Sequence, residues 1–110
     1  MGEFVYGSPS SVINFDDRVL AHLKMVILAK VRRGESFSFS WEHETANESG
    51  PSTIWIHPAN CLRFNFQGST EPRLNRAWID ELVRVSNTPA GLRVTPEPPQ
   101  QDDLDSDPPH

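Results

Sequence analysis

The stretch Phe37-Ser38-Phe39-Ser40-Trp41 decides the fold class, because an aromatic ring and a serine alternate along it. Successive side chains of a strand point to opposite faces, so the pattern predicts a β-strand with one greasy and one wet side. Downstream, Leu62, Phe64 and Phe66 alternate with Arg63, Asn65 and Gln67, and Thr53 to His57 is a further run rich in β-favouring residues. Pro58-Ala59-Asn60 makes a tight turn between those two runs. The three runs are expected to form an antiparallel meander. Residues 42–52 are acidic and end in Ser49-Gly50-Pro51-Ser52, so they read as the longest loop of the domain.

Working back toward the start, Phe4 to Gly7 and Ser11 to Phe15 read as a hairpin closed across residues 7–10. Asp16-Asp17 then offers a helix cap with acid at the positive end of the helix. That helix runs from about Asp17 to Arg33, and Gly34 stops it. Val19, Leu20, Leu23, Val26, Ile27 and Val31 share one stripe, which must face a sheet. Toward the end of the chain, Gly68 to Pro72 breaks the strand and opens a second helix, with Thr70 or Glu71 as cap and Pro72 in the first turn. Leu74, Trp78, Ile79, Leu82 and Val85 form its stripe, Asn87 to Gly91 ends it, and Leu92 to Thr95 is a last strand. The order β-β-α-β-β-β-α-β implies an α+β domain: a two-layer, mostly antiparallel sheet with two helices on one face. Phe37, Phe39, Trp41, Phe64 and Phe66 are expected to point toward those helices.

Residues 1–96 read as this single domain and 97–110 as a disordered, acidic, proline-rich tail, whose one large apolar residue, Leu104, cannot offset the entropy of ordering. The tail holds five of the fifteen acids and no Lys or Arg, which leaves residues 1–96 with ten basic and ten acidic side chains. A net charge of zero there argues against a strongly basic nucleic-acid binder. One cysteine excludes a disulfide scaffold. No membrane span is expected, since the longest wholly apolar run is Met25 to Ala29. The start carries no secretory pattern, so a cytoplasmic protein is expected, and Asn47-Glu48-Ser49 is read as a chance glycosylation match.

Two surfaces stand out. Ile54 and Ile56 are the better core fillers beneath helices, so Trp55 and His57 are expected on the open side of the sheet, beside Arg63. That side offers a platform to stack a flat ligand or a base; the alternative is a half-exposed Trp55 packed against the 42–52 loop or the tail, or covered in a dimer. A nucleic-acid surface would add Arg32, Arg33 and Arg76. The second surface is the other side of the first helix, where Ala21, Met25 and Leu28 suggest a homodimer seam.

Catalytic constellations are not apparent. Cys61 and His57 flank a proline turn without an activating charge; His43 with Glu42 and Glu44 is a loose grouping. His22 has Arg18 one turn back, which repels a metal cation, and Asp16-Asp17 is explained by capping. There is no glycine-rich phosphate loop. No catalytic residue, cofactor or metal is therefore expected.

The stretches Phe4-Val5-Tyr6-Gly7, Phe15 to Leu23, Lys30 to Phe37, Trp55-Ile56-His57-Pro58, Leu74 to Ile79 and Gly91-Leu92-Arg93-Val94 resemble a family of small actinobacterial proteins, over residues 1 to about 98. Members of that family often carry an automatic label of ATP-dependent DNA ligase. Such a ligase uses a Lys-x-Asp-Gly nucleophile motif. Here the lysines read Lys24-Met25-Val26-Ile27 and Lys30-Val31-Arg32-Arg33, so no active site is carried over. The sequence thus points to a non-catalytic binding or interaction module that self-associates through its first helix. The alternative is a nucleic-acid-binding accessory protein linked to DNA repair or ligation.

Overall fold

The computed structural model describes residues 1–42, 51–70 and 72–99. Two short strands, β1 (Gly2–Tyr6) and β2 (Ser11–Phe15), form the expected antiparallel hairpin, with Phe4 opposite Ile13 and Gly2 opposite Phe15. Helix α1 follows at Asp17–Arg32. Asp16 caps it by accepting the Arg18 N–H at 3.2 Å. Its other end closes as a Schellman motif: the Gly34 N–H donates to the Val31 carbonyl and the Glu35 N–H to the Lys30 carbonyl, with Gly34 at φ +77.

The aromatic–serine run forms β3 (Phe37–Glu42), which pairs antiparallel with β4 (Pro51–Ile56). Phe37 and Phe39 are buried and Trp41 is half-buried, so the greasy side is the core side. Ile56 is buried beside them and Ile54 half-buried, which turns Trp55 outward.

Strand β5 (Leu62–Asn65) departs from the expected meander. It does not continue from β4 but pairs antiparallel with β1, with Phe64 opposite Phe4 and Leu62 opposite Tyr6. The described strands therefore form two three-stranded sheets, β2-β1-β5 and β4-β3-β6. The exchange stacks Phe64 on Phe4, ring centres 5.1 Å apart. Tyr6 bridges the gap between the sheets: its hydroxyl donates to the Trp55 carbonyl and accepts from the Asn60 amide at 2.6 Å.

Helix α2 (Arg76–Ser86) begins later than expected. Asn75, rather than Thr70 or Glu71, is its cap, with Oδ1 accepting the Ala77 and Trp78 N–H groups. Leu74 falls outside the helix and is 40% exposed, while Trp78, Leu82 and Val85 carry the buried stripe. The last strand, β6 (Leu92–Arg93), runs parallel to β3, with Leu92 opposite Phe39. One core gathers Phe4 and Phe15 from the first sheet, Phe37, Phe39, Ile56 and Leu92 from the second, and Leu20, Leu23, Ile27, Trp78 and Leu82 from the helices.

Two further corrections concern the edges of the domain. Ala21 is buried at 1% exposure, because α1 packs against α2 as well as the first sheet. Glu97 and Pro98, read from the sequence as the start of the tail, are tied to the domain: Glu97 to Arg18 and Asn75, and Pro98 through its carbonyl to Asn75. Residues 43–50, which include His43, Glu44 and Asn47-Glu48-Ser49, lie outside the described residues, as do Glu71 and 100–110.

Candidate functional site

On the outer side of the β4-β3-β6 sheet, the described side chains include Ser38, Ser40, Thr53 and Arg93 and one ring, Trp55. Ser40 stands between Thr53 and Arg93, and its hydroxyl meets that of Thr53 at 2.8 Å. One row along, Ser38 stands opposite Trp55, whose side chain is 60% exposed. Beside this row opens a recess of about 330 Å³. Ser38 and Trp55 come from the sheet, Lys30 from the end of α1, and Ser86, Asn87 and Thr88 from the end of α2.

The two helix ends are fastened to each other at the recess. Lys30 is buried, and its ammonium donates to Glu35 Oε1 at 2.9 Å and to Asn87 Oδ1 at 3.1 Å. It also lies 5.5 Å from the centre of the Phe37 ring. A buried charge without such partners would be costly. The glutamate gains as well: the hydrogen bond from Lys30 holds the Glu35 carboxyl below its usual value of 4.5. Ser86 donates to the Val83 carbonyl and Thr88 to the Val85 carbonyl, both at 2.7 Å. Both hydroxyls thus donate to backbone carbonyls of the last turn of α2. The recess thus combines an aromatic face with hydroxyl and amide groups, around a cation already neutralised by Glu35.

The surface expected from the sequence is only partly assembled. Trp55 is exposed at the recess. Arg63 is exposed on the other sheet, opposite Val5. His57 is exposed just beyond β4, and its Nδ1 accepts the Ala59 N–H at 3.0 Å, which makes it a turn organiser. Arg32 and Arg33 are exposed at the end of α1, with Arg33 paired to Glu35 at 3.3 Å. Arg76 opens α2, whereas the recess lies at that helix's far end, roughly 15 Å away at 1.5 Å per residue. On the proposed seam, Met25 is 48% exposed and Leu28 half-buried, while Ala21 is interior.

The sequence reading missed Lys30, Ser38 and Asn87 as neighbours of Trp55, because parallel docking of β6 on β3 and the meeting of two helix ends are both long-range. It also missed a polar cluster at the start of α2, made of Arg18, His22, Asn75 and Glu97. The asparagine two residues ahead of Ala77 was the one local sign, since Asn is a favoured cap.

Among the described residues, no three His, Cys, Asp or Glu side chains are grouped to hold a metal ion, and no helix is long and apolar enough to cross a membrane. Cys61 is exposed. No curated protein and no solved structure matches the chain. A family model does match over residues 1–97, nearly all of the described molecule, and by that match the chain belongs to the domain of unknown function family DUF7882.

Proposed function

We propose that this domain is a binding module that acts by contact rather than by chemistry, with the Trp55 recess as its contact surface. One observation carries the reading: Trp55 stands 60% exposed among Ser38, Ser40 and Thr53 on the outer sheet face, at a recess. Covering the exposed part of such a ring would contribute about 2–4 kcal/mol, taking 150–250 Å² for the whole ring. The hydroxyl and amide side chains that line the recess add polar partners. The reading does not need the arginines named from the sequence, since neither Arg63, on the other sheet, nor Arg76, at the start of α2, lines the recess.

The test is a set of small probes, namely indole, adenosine and glucose, each titrated into isotopically labelled full chain. At least one should shift the Trp55 indole together with the Ser38 and Thr88 amides. Absence of any shift there at millimolar probe would overturn the reading. A labelled oligothymidylate titrated over a salt series separates the nucleic-acid alternative, which requires a steep loss of affinity with salt.

Self-association through α1 is a second reading, favoured by the exposure of Met25 beside Leu28. Sedimentation velocity of the full chain should then show a dimer that Met25→Glu dissociates; a strict monomer at high concentration contradicts it. Ligase chemistry is not part of this proposal: Lys30 is buried in a pair with Glu35. Incubation with labelled ATP should leave no adenylate on either lysine.

A further inference from the structure

His22 is fully buried, and both of its ring nitrogens are engaged. Nδ1 lies 2.7 Å from the Arg18 carbonyl, and Nε2 lies 2.7 Å from the backbone nitrogen of Asn75. A carbonyl accepts and an amide N–H donates. The ring is therefore neutral, with its proton on Nδ1 and its lone pair toward Asn75.

Asn75 does three things at once. Its N–H meets His22, its Oδ1 caps α2, and its Nδ2 donates to Glu97 Oε2 and to the Pro98 carbonyl, both at 2.9 Å. Arg18 closes the other side of Glu97 with two bonds, Nε at 2.8 Å and Nη2 at 2.6 Å. The Trp78 ring centre is 4.5 Å from that of His22, and its indole N–H donates to the Thr95 carbonyl at 3.1 Å. The hydrogen bonds described for Thr95, Glu97 and Pro98 are thus made by Arg18, Asn75 and Trp78, each of which touches the His22 ring.

We propose that the segment Thr95–Pro98 is an acid-released latch: a proton taken up by His22 Nε2 expels the Asn75 N–H, and the contacts of Asn75 to Glu97 and Pro98 go with it. Charging the ring sets two donors against each other across 2.7 Å, in a site with no water-facing side. The charged groups facing the ring are Arg18 on its own helix, which opposes the proton, and Glu97 from the latch, which favours it. Helix α2 presents the uncharged Trp78 ring, and the stretch before it contributes the Arg73 carbonyl, which accepts from Arg18 at 2.8 Å. Arg18 and Glu97 largely neutralise each other, so burial decides, and it lowers the affinity of the ring for a proton. Release leaves the Arg18 guanidinium without its carboxylate. The latch sits at the start of α2 and the Trp55 recess at its end, so the two proposals stand or fall separately.

The experiment is a pH titration of the labelled full chain, following the His22 ring nitrogens, the Trp78 indole and the exchange of the Asn75 amide. The ring should charge below 6.5. The Asn75 amide and Trp78 indole should lose protection with the same midpoint, with the open fraction rising about tenfold per pH unit, as one linked proton requires. The Phe39 amide should stay protected. His22→Gln should abolish the transition; if that variant does not fold, the titration of the parent chain decides alone. The proposal is overturned if the ring charges while Asn75 and Trp78 keep their protection. It is equally overturned if release occurs only near pH 2, where Glu97 titrates, or if Phe39 opens together with the latch.

Discussion

At the residue scale, two glycines with nearly the same backbone do different work. Gly34 at φ +77 faces open space, and Gly91 at φ +81 would drive a Cβ to within 2.1 Å of Ser38 Oγ. Alanine at 34 should therefore cost only the left-handed backbone penalty, about 1–2 kcal/mol. Alanine at 91 must add displacement of Ser38 and β6, for a total of about 2–5 kcal/mol. Urea denaturation of Gly34→Ala and Gly91→Ala checks both, and comparable midpoints would contradict the account. Gly34 was legible as a helix stop because it follows basic residues at the end of a stripe. The role of Gly91 was not, since it depends on a strand more than fifty positions earlier.

At the element scale, local signals served well wherever a neighbour in sequence is a neighbour in space. The first hairpin, the stripe of α1, its aspartate cap and the outward turn of Trp55 were all readable. The second helix was misplaced at its start because Pro72 is a good first-turn residue, yet Asn75 supplies a better cap three residues later. The meander failed for a different reason. Consecutive strands usually pair, but here stacking of Phe64 on Phe4 draws β5 to β1. Tyr6 is what that choice requires, since its hydroxyl fills the seam between β4 and β5. Tyr6→Phe removes both bonds of that hydroxyl and should cost about 1–3 kcal/mol, at about 0.5–1.5 kcal/mol each. It should also speed amide exchange in the turn 57–61 more than in β3, and uniform loosening would contradict the seam.

At the scale of the whole molecule, acid should act in stages. Burial holds His22 below its usual 6.5. Its neutral form therefore costs nothing above pH 6.5, and stability falls as pH drops from there toward the folded value, because the unfolded chain binds the proton first. The bonds from Arg18 and Asn75 lower the Glu97 carboxyl from 4.5 to about 2. That contribution is complete above pH 4.5 and is lost between 4.5 and about 2. Asp17 acts in the same sense, held below 3.8 by the backbone N–H groups of Gly68 and Gln67. Thermal melts should show a plateau above pH 6.5 and a first decline before the carboxylate range. A profile flat down to pH 4.5 would contradict the placement of His22. The partners of His22 and Glu97 are not legible in the sequence, where Glu97 reads as the first acid of a proline-rich tail and His22 as a histidine one turn after Arg18.

The functional reading rests on the outer face of the second sheet being open, with Trp55 standing on it. Exchange of the indole N–H protons in dilute full chain tests this directly. Trp78, bonded to Thr95, should exchange at least about a hundredfold more slowly than Trp55, as expected for a core group against a surface one. Equal protection of the two indoles, or a Trp55 indole that stays protected on dilution, would mean that the face is covered and the proposed contact surface does not exist.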